Sequence, residues 1–234
     1  MMVRTYKIAV FITVIALAFC APCAFAKGPR GEYVVVIDPA GGGADNGVKL
    51  SKKVYEKDVT LAIAQGVKDN LATTKWVSVR LTRYEDKKMS VAERIRFAES
   101  AKADLFVNLS VNAGFGKNSS GYEVYFPGFE GRPSSKADSK EIVDDMVRTK
   151  YLNDGVRFAQ VVMKNMESVF PRKGRGLREA PIIILQNLKI PAVVVELGFA
   201  TNADDRKNLM NTKVRKSLAG ALQKSIEEYF ASGV

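Results

Sequence analysis

Pro191-Ala192-Val193-Val194-Val195-Glu196-Leu197-Gly198-Phe199-Ala200-Thr201-Asn202 opens with a small, β-branched apolar run that ends on the carboxylate of Glu196. Ala192–Glu196 has no polar face until its last residue, so it reads as a strand covered on both sides. A carboxylate directly after Val193-Val194-Val195 is costly unless it finds a partner. Open α/β sheets also place their sites beyond the carboxyl ends of strands. Glu196 is therefore the first candidate functional residue.

Outward from this strand, apolar runs alternate with helical spacings. Ile182–Leu185 is a second almost wholly apolar run and reads as another strand, and residues 203–231 close the chain as helices. Residues 139–169 read as a long helical stretch broken near Asn153-Asp154-Gly155. Before it, residues 127–138 are rich in Gly, Pro, Ser and Lys, the composition of a surface loop. Tyr122–Tyr125, Leu105–Leu109 and Trp76–Leu81 read as strands, and Ser90 with Glu93 forms a capping box ahead of Val91, Ile95 and Ala98. Glu56–Leu71 carries Val59, Ile63, Val67 and Leu71 on one helical face, and Tyr33–Ile37 is a strand that stops at Asp38-Pro39-Ala40-Gly41-Gly42-Gly43. This alternation predicts an α/β fold with a mainly parallel sheet and helices on both faces. No repeat or linker divides residues 27–234, which are expected to form a single domain.

The N-terminus predicts export. Arg4 and Lys7 precede an apolar run from Ile8 to Phe19, and Ala24-Phe25-Ala26 offers a small-residue cleavage site before Lys27. The expected location is periplasmic or secreted, with an uncleaved membrane anchor as the alternative. Both cysteines, Cys20 and Cys23, lie inside residues 1–26, so the mature chain has neither disulfides nor thiolate ligands. The whole chain of 234 residues has 36 basic and 25 acidic side chains, a net charge of +11; losing Arg4 and Lys7 leaves +9. Such a surface suits anionic partners, wall polymers or lipid head groups. No block of like charge or interleaved aromatic patch points to nucleic acid.

Four element ends collect polar residues: Asp38–Gly43, Glu56, Asn108–Asn112, and Glu196 with Leu197-Gly198-Phe199. Alone, the glycine triplet reads as a turn and Glu56 as a favourable partner of a helix dipole. Together with Leu81-Thr82-Arg83, Ala103–Val107, Gly121-Tyr122-Glu123-Val124-Tyr125, Arg178-Glu179-Ala180-Pro181 and the stretch 191–202, they resemble the zinc-dependent N-acetylmuramoyl-L-alanine amidase family. The resemblance spans nearly the whole mature chain in order. It implies an amidase-like fold and cleavage of the amide between N-acetylmuramic acid and the first L-alanine of the stem peptide. It further implies one zinc held by two histidines and a glutamate, with a second glutamate as base.

On that resemblance Glu56 takes the place of the ligand glutamate and Glu196 that of the base. The two ligand histidines fall on Gly41 and Ser110, with Ala40 replacing the glycine before the first. The chain contains no histidine at all. A catalytic zinc needs about three protein ligands, glycine offers none, and a neutral serine hydroxyl is a poor donor. A full zinc site is worth on the order of 10 kcal/mol and a millimolar contact about 4, so no bound zinc or other cofactor is expected. Asn112 and Arg178 are candidate substrate contacts.

Three functional expectations follow. The first is a catalytically inactive, amidase-like envelope protein that binds peptidoglycan or regulates wall hydrolysis, with Glu196 vestigial. The second is an active amidase whose Glu56 and Glu196 form an acid–base pair, or share magnesium or calcium with Asp38 and water. The third is a scaffold that binds an active amidase or its activator, an envelope protein partner, through residues 127–150. If the departures are confined to the metal site, Gly41→His and Ser110→His, with Ala40→Gly, are expected to recover zinc binding.

Overall fold

The computed structural model describes residues 32–114, 116, 118–128 and 138–233. The export segment 1–26 and most of the 127–138 loop lie outside the described residues. Six strands, β1 (Tyr33–Pro39), β2 (Val77–Leu81), β3 (Leu105–Asn112), β4 (Tyr122–Phe126), β5 (Gly174–Glu179) and β6 (Ala192–Phe199), form one sheet. Six helices accompany them: α1 (Glu56–Leu71), α2 (Val91–Ser100), α3 (Ser139–Met166), α4 (Ile183–Gln186), α5 (Ala203–Met210) and α6 (Thr212–Ala231).

The strand order is β2-β1-β3-β6-β4-β5. The first four strands run parallel, β4 runs antiparallel to β6, and β5 runs parallel to β4. Sequence periodicity explains the layers. Val59, Ile63 and Val67 of α1, Phe158 and Val162 of α3, and Leu218, Leu222 and Ile226 of α6 pack on one face of the sheet. Ala98 of α2 with Ile184 and Leu185 of α4 covers Val36, Phe106 and Val194 on the other. Side chains such as Val36 and Val35 alternate between the two cores, as the two-residue period of a strand requires. Among the described residues no helix is long and apolar enough to cross a membrane.

Two expectations are corrected. Ile182–Leu185 is not a strand: Ile182 precedes the single-turn helix α4, which buries Ile184 and Leu185 in the smaller core. The strand at this point of the chain is β5, whose Gly-Arg-Gly-Leu-Arg-Glu sequence lies at the sheet edge and is mostly exposed. An edge strand with one solvated side needs no apolar run, so apolarity alone selects the wrong segment. The long helix α3 is also continuous through Asn153-Asp154-Gly155. Asp154 accepts ion pairs from Lys150 and Arg157 within the helix, and Gly155 is buried where a side chain would come within 3.2 Å of the Ala192 carbonyl. The glycine serves close packing of helix on strand, not a break.

Candidate functional site

The carboxyl ends of β1, β3 and β6 meet the N-terminus of α1, and every residue singled out in the 38–56, 108–112 and 196–199 segments gathers there. Asp38, fully buried at the end of β1, accepts hydrogen bonds from the Thr82 hydroxyl, the Arg94 guanidinium and the Asn108 amide. Arg94 also donates to the carbonyls of Pro39 (3.0 Å) and Gly41 (2.7 Å), while Arg83 donates to those of Pro39 (3.0 Å), Ala40 (2.9 Å) and Lys57 (2.8 Å). Two buried guanidiniums thus neutralise the converging carbonyls of the turn. Asp38 is engaged by Thr82, Arg94 and Asn108 within a buried network.

The glycine triplet follows. Gly41 has φ +71°, a left-handed conformation that disfavours any side chain, and a Cβ there would lie 2.9 Å from the Asp45 carbonyl. The loop is fastened from outside by Asp86, which accepts from the Gly43 N–H (2.7 Å) and from Lys57 Nζ (2.8 Å).

Glu56 opens α1, where the helix N-terminus favours a carboxylate. Both of its oxygens are engaged by protein donors. Oε1 accepts from the Ser110 hydroxyl (2.9 Å) and the Val111 N–H (2.9 Å), and Oε2 accepts from the Val48 N–H (2.9 Å). Ser110 sits opposite Glu196 in the β3–β6 register, and Glu123 sits opposite Glu196 on the other side. The single Ser110 proton goes to Glu56. Glu196 is left with its buried Oε2 lacking a protein partner. Burial, then repulsion from Glu56, pushes the Glu196 pKa up to about 8.

Beyond Glu196 the sheet carries a charged group that sequence reasoning did not single out. Glu123 is buried, and its Oε1 accepts from Arg175 Nε (2.6 Å) and Arg178 Nε (3.2 Å) while Oε2 accepts from the Tyr125 hydroxyl (2.7 Å). Burial works to raise its pKa, but the hydrogen bonds from Arg175 and Tyr125 and the two guanidinium charges prevail and hold it low. Its signal was available, since Glu123 lies inside the run Tyr122–Tyr125 as Glu196 lies at the end of its own. Of the candidate substrate contacts, Arg178 joins this group, whereas Asn112 ends β3 and its Oδ1 accepts from the Gly114 N–H (2.7 Å) in a local turn.

The donor set does not fit zinc. Position 41 has no side chain, the Ser110 hydroxyl is turned to Glu56, and both Glu56 oxygens already accept protein protons. Among the described residues no group of three or more His, Cys, Asp or Glu side chains is disposed around a common metal position.

Comparison with known proteins places this architecture. The chain is 29% identical over 222 residues to the uncharacterized protein YqiI of Bacillus subtilis, covering 92% of this chain and 96% of that one. It is 26% identical to the N-acetylmuramoyl-L-alanine amidase AmiA of Escherichia coli, covering 88% of this chain and 78% of AmiA. Among solved structures, an N-acetylmuramoyl-L-alanine amidase from Clostridium difficile 630 superposes with a TM-score of 0.73 at 28% identity, over 88% of this chain and all of that one (100%). AmiC2 of Nostoc punctiforme gives 0.71 at 27% identity, over 86% of this chain and 98% of its own. Residues 35–228 match the N-acetylmuramoyl-L-alanine amidase family, the amidases that act on cell-wall peptidoglycan, and the chain belongs to that family.

Proposed function

We propose that this protein is an exported, non-hydrolytic member of the amidase family that binds peptidoglycan or regulates its hydrolysis. The observation that carries the reading is Glu56. In the position where the family's zinc ligand stands, its carboxylate is satisfied by Ser110, Val111 and Val48. Neither position 41 nor position 110 contributes an imidazole. Without a Lewis acid, nothing polarises the scissile carbonyl or lowers the pKa of the attacking water. Glu196, with a pKa of about 8, is mostly protonated at neutral pH, so only a minor fraction is in the form that accepts a proton.

A second reading rests on the same pair. A protonated Glu196 beside an engaged Glu56 gives two carboxylates in different protonation states, the arrangement of an acid–base couple. One assay separates the two. Purified protein is incubated with intact sacculi, with and without added zinc; the pellet is assayed for protein and the supernatant for released stem peptides. The expected outcome is protein in the pellet and no release under either condition. Release would establish hydrolysis, and protein wholly in the supernatant would remove wall binding.

The scaffold reading is favoured by one feature, the exposed side chains of Ile142, Val143, Met146 and Val147 on the first half of α3. Their partner would be another envelope protein, and crosslinking with and without residues 127–150 identifies it.

A further inference from the structure

We infer that Arg175 and Arg178 form a binding site for a carboxylate of the peptidoglycan stem peptide. The inference rests on the reading that the groove receives peptidoglycan, and it names the group that is recognised there.

The site is built by an irregularity in the sheet. Along β5, Gly174 pairs with Tyr122 and Leu177 with Val124, so Arg175 and Gly176 together oppose the single residue Glu123. This is a β-bulge, and Gly176 supplies the positive φ (+96°) that it needs. In a regular strand two residues three positions apart point to opposite faces. The bulge cancels that alternation, and Arg175 and Arg178 both reach the one Oε1 of Glu123, at 2.6 and 3.2 Å. Arg175 is held further by Phe199, whose ring centroid lies 5.1 Å from its guanidinium carbon.

The charge at this point does not balance. Two guanidiniums face one carboxylate, and Glu123 is 4% exposed at its side chain while Arg175 and Arg178 are 36% and 46% exposed. Each arginine spends its Nε on Glu123, which leaves the terminal nitrogens of both forks for a planar anion. A Cβ at Gly176 would meet nothing within 4 Å, so the bulge itself faces open space. Glu123 pairs with Glu196 across β4 and β6, so Glu123 alone stands between the fork on β5 and the position of the family's base on β6. Stem peptides carry free carboxylates near the amide that joins them to the glycan, and the fork matches their geometry.

The test uses two soluble disaccharide pentapeptides that differ only in stem carboxylates, free in one and amidated in the other. Calorimetry with the full chain is expected to show the free acid bound about tenfold tighter or better, the scale of a charge-assisted hydrogen-bond pair. Arg178→Gln is expected to bind both forms alike, and Arg178→Lys to retain part of the preference. Because Arg175 still satisfies Glu123 in these variants, their thermal unfolding stays close to that of the parent. Equal binding of both pentapeptides by the parent chain overturns the carboxylate site, as does full preference persisting in both Arg178→Gln and Arg175→Gln. If the parent pellets with sacculi in these cases, wall binding stands and only the fork is wrong. If it binds neither pentapeptide nor sacculi, both readings fall.

Discussion

Glu196 sits where two costs of charge coincide. Its surroundings remove water, and Glu56 and Glu123 add negative potential from either side. Ser110 lies opposite it and donates to Glu56, and the relief its hydroxyl gives Glu196 is outweighed by burial and by the Glu56 charge. The folded protein therefore favours the protonated acid, with a pKa of about 8 against an ordinary 4.5. The sign of the linkage follows. The folded state holds a proton that the unfolded chain gives up, so this contribution to stability is full below the ordinary value and is lost as pH rises through about 8. Glu196→Gln keeps the neutral shape without the titration. Its stability is expected to match the parent in acid and to exceed it by up to about 5 kcal/mol at about pH 9, since each pKa unit is worth about 1.4 kcal/mol. Urea unfolding at a series of pH values reads this directly, and parallel stability curves for the two proteins would show that Glu196 titrates normally.

At the scale of elements, the connection from β1 to α1 decides what the site can hold. Arg83 and Arg94 bind its carbonyls, Asp86 and Lys57 fasten its outer edge, and Gly41 adopts a conformation that a side chain resists. Where the family resemblance would place a histidine, the backbone here resists a side chain. Gly41→His with Ser110→His and Ala40→Gly is expected to give no stoichiometric zinc by elemental analysis after dialysis; one zinc per chain would show that the loop reopens easily. This prediction differs from the expectation drawn from sequence, which took the departures at positions 40, 41 and 110 to be confined to the metal site. The difference shows what kinds of information a sequence carries. Helix α1 and the capping box of α2 were legible because apolar spacing and a Ser-x-x-Glu pair act within a few residues. Strand β5 was not, because an edge strand is defined by the neighbour it pairs with. Glu56 and Ser110 could be named from their neighbours in sequence, but their hydrogen bond across 54 positions belongs to the fold. The same is true of Glu123 and its two arginines, 52 and 55 positions apart.

At the scale of the whole molecule, the net charge, +11 for the full chain and +9 without residues 1–26, offers a competing account of the proposed wall binding. A cationic protein collects on an anionic polymer through long-range attraction, which salt screens within roughly 10 Å at about 0.1 M. A fork such as Arg175 and Arg178, desolvated on one side by Glu123 and Phe199, is screened less because part of its interaction is short-range and directional. Two variants separate these contributions, since each removes one positive charge. Lys216→Gln acts on an exposed lysine of α6, and Arg178→Gln acts on the fork. If bulk charge governs binding, both variants shift co-sedimentation with sacculi equally, and the difference from the parent disappears as salt is raised. The structure leads us to expect otherwise: Lys216→Gln lowers binding slightly and only at low salt, whereas Arg178→Gln lowers it several-fold and the loss persists at about 0.3 M salt, where the screening length is near 6 Å. Identical salt curves for the two variants would assign wall binding to net charge and leave the arginine fork without a role in it.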